Sequence, residues 1–222
     1  MFRRGQKTYL NGKRALRYPE YAPESERGRD LRITERGEPV LHTPAAEITA
    51  ASTPALGSPE LATLIDDMFA TMDVAQGVGL AAPQVGVGLR VFVYDVTDDD
   101  DVRHVGHVIN PVLAVDAEVD PITDREGCLS VVGAYEDLER PGGASVTGVD
   151  RDGKPVRLEA TGYLARAFIH ECQHLDGVLY FDHLTAEQQA DCLAQRDAQR
   201  ATVLAERHEM ALYLGKEPAV YP

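Results

Sequence analysis

The sequence predicts an α+β fold of antiparallel or mixed sheets packed around a central helix, with a further helix at the C-terminal end. Three observations carry that expectation. Runs rich in β-branched residues, broken by turn signals, fill the middle of the chain; stretches with apolar residues at helical spacing stand on either side of them; and no segment repeats.

Residues 1 to 30 mix glycine, proline, tyrosine and charge without a period and read as a basic, flexible, extended arm, with folding expected from Leu31. From Ser58 the pattern changes. Ser58 suits a helix N-cap, Pro59 the first helical position, and Leu61, Leu64, Ile65, Met68, Phe69 and Met72 recur at helical spacing, which predicts a core helix. The run Gly77-Val78-Gly79-Leu80-Ala81-Ala82-Pro83-Gln84-Val85-Gly86 has few bulky side chains, so its backbone can approach a ligand closely. It lacks the lysine and spacing of a phosphate-binding P-loop. Leu89 to Tyr94, Val108 to Val115, Ala144 to Val149 and Val156 to Leu158 read as strands, punctuated by Asn110-Pro111 and Asp152-Gly153. The acidic run Asp98 to Asp101 falls between two of them and lacks the alternation of a calcium loop, so it reads as a solvated turn. A second helix spans about Thr161 to Asp176, closed by Gly177, with Leu164, Ala165, Phe168, Ile169 and Cys172 facing inward. A third, from Thr185 to about Leu214, opens with a Thr185 to Gln188 capping box; it is mostly charged and is expected to be peripheral.

With 222 residues, 44% of them hydrophobic and 26% charged, the chain suffices for one sizeable core and an appendage. No stretch approaches the roughly 20 consecutive apolar residues of a membrane helix, and no apolar run follows Arg3 and Arg4 as a secretory signal requires. A soluble cytoplasmic protein without a membrane contact is therefore expected. Cys128, Cys172 and Cys192 are too few and too odd in number for a disulfide framework and read as free thiols or metal ligands. Arg3, Arg4, Lys7, Lys13, Arg14 and Arg17 stand in the first 18 residues without an acid; taking those six charges out of the net −14 leaves −20 on the rest. So acidic a body repels DNA, and any contact with RNA would fall to the basic arm, whose simpler reading is a solvated tail. A transit peptide fits less well, because the basic residues 1 to 18 hold no serine.

The chemistry concentrates in His170-Glu171-Cys172-Gln173-His174, an H-E-x-x-H pattern inside the second helix. Histidines at i and i+4 share a face roughly 5 to 6 Å apart at Cβ, close enough to reach one metal ion. Glu171 lies roughly 100° round the helix from His170, beside the ion's open position, where it can take a proton from water. A catalytic site of this kind needs a third protein ligand. Downstream, Glu187 or Glu206 could supply a zincin-type carboxylate; the extended metzincin pattern fails, because Tyr180 stands where its third histidine is needed. Upstream, Cys128 in Glu126-Gly127-Cys128-Leu129-Ser130 offers a thiolate in a turn of small residues, although a lone cysteine is more often a small core residue. Cys172 faces the apolar side and reads as core, and Cys192 as incidental. His42, His104, His107, His183 and His208 have no ligand spacing and read as structural or exposed.

Gly77 to Gln84, then Glu126 to Ser130, then His170 to Leu175 resemble, in order and separation, the three signature motifs of peptide deformylases. Asn110-Pro111, the Gly148 to Val156 strand pair and Gly162-Tyr163-Leu164-Ala165-Arg166 look like the same family. The resemblance covers about residues 30 to 184, implying a catalytic domain at 31–184 between the arm at 1–30 and a helical extension at 185–222. It implies that Cys128, His170 and His174 bind one divalent metal, natively Fe(II), with Zn(II), Ni(II) or Co(II) as alternatives that the ligands do not separate. The central helix would then be metal-binding. Glu171 would be the general base and later the acid, while Gln84 and the Leu129 backbone N–H would hold the formyl oxygen. Methionine would lie near Val78, Gly79 and His170, the peptide paired along a strand edge. The substrates would be formyl-methionyl nascent peptides, with a transient ribosome contact.

Three positions depart from the family pattern: Ile169 replaces a Gln, Gln173 an Asp and Val132 a Pro. The second change is expected to leave Arg140 without an acidic partner and to slow turnover, since lost outer-sphere carboxylates cost about 10- to 100-fold in affinity or activity. Two other readings compete: a zincin-type endopeptidase using a downstream carboxylate, and an idle relative serving as a ribosome-associated binding module.

Overall fold

The computed structural model describes residues 6 to 16 and 18 to 222. Arg3, Arg4 and Arg17 of the basic arm lie outside them. The fold mixes α and β elements as expected, around a seven-stranded sheet and a separate two-stranded one.

Strands β1 (Thr8–Leu10) and β2 (Lys13–Ala15) form a hairpin on one edge of the large sheet. The described residues before Leu31 are therefore not the extended arm expected, and the reason is local. Asn11 and Gly12 both have positive φ, the two-residue turn whose twist suits antiparallel strands. The Asn11 side chain also accepts from the His107 N–H, and Tyr9 stacks on His104. A short helix α1 (Pro23–Arg27) follows and is tied to helix α2 (Pro59–Val74) by a two-point Arg27–Asp66 pair at 2.7 and 2.9 Å.

Helix α2 starts where its sequence signal lies, with the Ser58 hydroxyl accepting from the Leu61 N–H. Leu61, Ile65, Met68, Phe69 and Met72 are fully buried against β4 (Val91–Thr97) and the first half of β5 (Arg103–Asp116). At about 1.5 to 3 kcal/mol for each such side chain, this face makes α2 a main support of the core. The sheet runs β2-β1-β5-β4-β3, where β3 is Gly79–Ala81, and the second half of β5 pairs with β8 (Gly143–Val149), which pairs with β9 (Pro155–Thr161). The four expected strands are all present. Asp98 to Asp101 closes the β4–β5 turn, with Asp98 accepting from the Asp100 and Val102 N–H groups.

Helix α3 (Gly162–Leu175) packs on this sheet through Leu164, Ala165, Phe168, Ile169 and Cys172. Phe168 meets Tyr94 edge-on at 5.1 Å between ring centroids. Strands β6 (Ile122–Gly127) and β7 (Tyr135–Arg140) make the second sheet. Both read Ile-Thr-Asp-Arg-Glu-Gly and Tyr-Glu-Asp-Leu-Glu-Arg, charged segments without the β-branched pattern that marks the core strands.

Helix α4 (Ala186–Tyr213) opens with the expected Thr185–Gln188 capping box. Its peripheral reading needs correction: Cys192, Arg207 and Ala211 are buried. Cys192 is not incidental, since it packs with Leu179 and Phe181 and lies 3.3 Å from the Tyr180 hydroxyl. Among the described residues, no helix is long and apolar enough to cross a membrane.

Candidate metal centre

Helix α3 delivers His170, Glu171 and His174, and the turn after β6 delivers Cys128. The His170 and His174 Nε2 atoms are 3.2 Å apart, and the Cys128 sulfur is 3.2 Å from His174 Nε2. All three donors lie within 4.8 Å of one another, on residues that are buried or nearly so. The i, i+4 spacing and the upstream cysteine therefore converge. Glu187 and Glu206, the downstream carboxylates, are both exposed and stand outside this group.

Glu126 organises the centre. Its carboxylate accepts from Arg140 at 3.0 and 2.6 Å, from Arg166 at 2.8 Å and from His170 Nδ1 at 2.7 Å. Burial alone would raise its pKa, but the hydrogen bonds and charges of His170 and Arg140 hold it well below the ordinary carboxylate value. With Nδ1 bonded to Glu126, His170 presents its Nε2 atom toward Cys128 and His174. Burial, with the cost of a second cation beside His170, pushes His174 well below its usual value, so its imidazole is neutral. Sequence reasoning quoted Glu126 without giving it a task; the signal was its place two residues before Cys128. The Arg140 expectation is overturned: besides Glu126 it donates to the Gln173 side-chain oxygen at 2.9 Å. Ile169 and Val132, the other departures, are both buried apolar side chains.

The donor set fits a metal ion on structural grounds. A thiol sulfur and two imidazole nitrogens crowd together inside the protein, and the buried His174 Nδ1 and Glu171 Oε2 have no hydrogen-bond partner among the described residues. Two imidazoles and a thiolate suit a borderline divalent cation.

Glu171 is 4% exposed, and burial pushes its carboxyl up to about 7, with the Glu126 charge adding to that and His170 opposing it. It rests directly on Gly79, where any Cβ would run into the Glu171 carboxyl group, 2.8 Å from its carbon. That close approach is what the glycine-rich run makes possible. Gln84, 1% exposed, accepts from the Ala81 N–H through Oε1 at 2.8 Å and turns its amide nitrogen toward Cys128 Sγ at 3.6 Å and Ser130 at 3.4 Å. The Leu129 N–H has no acceptor among the described residues.

These groups line a cavity of about 270 Å³ that also takes in Val78, Tyr163, Ala167, Val203 and Arg207. Val203 and Arg207 come from α4, a contribution that its charged surface pattern concealed. The other histidines stay apart: His42, His183 and His208 are exposed, His104 pairs with Asp98, and His107 accepts from the Arg151 N–H.

Comparison with known proteins agrees with this geometry. Residues 30–190 match the family model described as polypeptide deformylase. The chain is 53% identical over 149 residues to peptide deformylase 2 of Streptomyces avermitilis, covering 67% of this chain and 76% of that one. It is 51% identical over 154 residues to the peptide deformylase of Mycobacterium leprae, covering 67% and 78%. Among solved structures, the Legionella pneumophila peptide deformylase superposes with a TM-score of 0.68 at 33% identity, covering 78% of this chain and 96% of that one. The Ehrlichia chaffeensis enzyme in complex with actinonin gives 0.68 at 28% identity, covering 78% and 98%. The chain belongs to the polypeptide deformylase family.

Proposed function

We propose that the cavity beside Cys128, His170 and His174 is where this enzyme hydrolyses the formamide of formyl-methionyl peptides, releasing formate. The removal of a formyl group from an N-terminal methionine is the family's reaction; the assignment to these residues rests on the three-donor cluster lying beside a buried carboxyl group in one cavity. The unit at 31–184 would carry the chemistry, with 185–222 as its helical extension.

Cys128, His170 and His174 would hold the ion, making α3 a metal-binding helix. Fe(II) is the proposed native metal, with Zn(II), Ni(II) and Co(II) as substitutes compatible with the same ligands. Bound there, a divalent ion supplies Lewis acidity, polarising a carbonyl and acidifying water. Glu171 takes the proton from attacking water and returns it to the departing amine; a carboxyl held near pH 7 by burial can do both. The Gln84 amide and the unpaired Leu129 N–H donate to the formyl oxygen as it gains charge, each such donor being worth about 3 kcal/mol. The methionine side chain would pack by Val78, Gly79 and His170, with its backbone along the Gly77–Val78 edge. A cytoplasmic location with transient ribosome contact suits a substrate presented by nascent chains.

The test is anaerobic formate release from formyl-Met-Ala-Ser by protein reconstituted with Fe(II) or Ni(II), beside Glu171→Ala. Release that vanishes in the variant while one metal per chain is kept supports the assignment. Equal release from both would remove Glu171 from the reaction.

A further inference from the structure

Helix α4 holds the turn that follows Cys128 at three points. At one end the Arg207 guanidinium donates to the Leu129 carbonyl at 3.0 Å. At the other, the Gln195 amide brackets Tyr135, accepting from its N–H at 3.1 Å and donating to its carbonyl at 3.1 Å. Between them, Gly133 lies so close to the helix that a Cβ there would come within 2.6 Å of Gln199 Cβ. The neighbouring carbonyls are held as well, Ser130 by the Arg36 N–H and Cys128 by the Val131 N–H, both at 2.8 to 2.9 Å.

Arg207 is a buried cation that makes two hydrogen bonds and no ion pair among the described residues. It is 5% exposed, has no carboxylate within ion-pair distance among the described residues, and leaves its Nε without an acceptor. Its other partner is the Tyr221 hydroxyl at 3.5 Å. Tyr221 belongs to a C-terminal tail fixed to the start of the chain: Lys216 caps the Ser25 and Gly28 carbonyls, Ala219 donates to Asp30 at 2.8 Å, and Tyr221 accepts from the Ile33 N–H. Arg200, paired with Glu35, adds a further tie. A helix anchored at both ends thus presents a fixed cation to the carbonyl of the residue whose own N–H has no acceptor.

We propose that Arg207 is a positioning residue for deformylation: by holding the carbonyl of the 129–130 peptide it fixes the Leu129 backbone, so that the Leu129 N–H, in the preceding 128–129 peptide, faces the formyl oxygen. The inference rests on the reading that Leu129 donates to that oxygen. It assigns to the C-terminal helix, beyond the catalytic unit, a part in the geometry of the reaction: loss of the Arg207 contact leaves substrate binding in place and impairs the chemical step. Displacement of a catalytic donor by about 1 Å can cost up to about 100-fold.

The experiment compares the full-length metal-loaded protein with Arg207→Lys, Arg207→Met and Gln195→Ala, reading kcat and KM on formyl-Met-Ala-Ser, thermal midpoint, and backbone hydrogen exchange across residues 129 to 135. The expected result for Arg207→Met is a kcat lowered about 10-fold or more with KM within about twofold, faster exchange in that segment, and partial recovery in Arg207→Lys. Gln195→Ala should quicken exchange at the Tyr135 end, which keeps the clamp testable if Arg207→Met does not fold. A rise in KM with kcat unchanged would make Arg207 a substrate-binding residue and overturn the proposal. Faster exchange with unchanged kinetics would overturn it by removing Leu129 from the chemistry, while formate release by the parent protein would leave the deformylase assignment standing. Unchanged exchange in every variant would overturn the clamp itself.

Discussion

Replacing Glu126 with alanine should destabilise the protein by about 3 to 5 kcal/mol, the usual cost of removing one partner from a buried ion pair. The two guanidinium groups it serves differ in what remains to them. Arg166 keeps the Leu138 and Ile122 carbonyls at 2.9 and 2.8 Å, whereas Arg140 keeps, among the described residues, only the Gln173 oxygen at 2.9 Å. Their side chains and that of Glu126 are each 5% exposed or less, so the guanidinium groups have little solvation to fall back on. For a chain of this size the change corresponds to a thermal midpoint lower by about 6 to 20 °C. Calorimetry with a chelator present separates this from metal loss, which Glu126→Ala would also favour by freeing His170. Because the stranded charge on Arg140 causes most of the cost, Glu126→Ala with Arg140→Leu should be less destabilising than the sum of the single changes. Glu126 has a lowered pKa in the folded state, so its stabilisation is complete above the unfolded value of 4.5 and is lost as pH falls through the folded one. A midpoint that drops by less than about 4 °C, or strictly additive variants, would refute the reasoning.

Other changes probe separate parts of the structure. Gly79→Ala should lower kcat about 10-fold or more while keeping one metal per chain, because the new methyl displaces the Glu171 carboxyl and none of the ligands; metal loss, read by elemental analysis, would contradict this. Gln173→Asp should change kcat and metal affinity far less than the about 10- to 100-fold usual for outer-sphere carboxylates, since Glu126 already neutralises Arg140; a tenfold gain would restore the expectation drawn from sequence. Burial, then the Arg151 charge, lowers the His107 pKa from 6.5 to about 4. The unfolded chain therefore binds the extra proton first, and His107 contributes stability that is present above pH 6.5 and is lost as pH falls toward 4, about 3 kcal/mol in all. The parent minus His107→Gln difference in midpoint should shrink over that window, and a flat difference would sink the claim.

The parts of this enzyme legible in its sequence are those where one local rule decides the outcome. The Ser58 cap, the Thr185–Gln188 box and the apolar face of α3 each obey short-range chemistry, and their elements formed where that chemistry placed them. His170, His174 and Cys128 were legible as one cluster because a helical turn and a motif bring them together. Strands β6 and β7 were not, since their charged side chains stand on a two-stranded sheet whose stability comes from pairing and from the buried Glu126–Arg140 link across it. The hairpin at Asn11-Gly12 did carry a signal, an Asn-Gly turn, but its flanking strands are three residues each and gain their place only by pairing with β5.

The departures from the family pattern show why a residue's role cannot be assigned from its motif position alone. An aspartate at 173 would face Arg140, and its absence suggested an unpaired cation; yet the neutral glutamine oxygen accepts from Arg140 while Glu126, on the neighbouring strand of the same two-stranded sheet, already provides the negative charge. The same logic applies to α4. Its charged pattern led to a peripheral reading, but Cys192, Arg207 and Ala211 are buried, and only the packing of the helix against the Cys128 turn reveals that the Arg207 guanidinium meets the Leu129 carbonyl. Charge pattern along a helix reports its average environment, whereas catalysis depends on the few positions where that average fails.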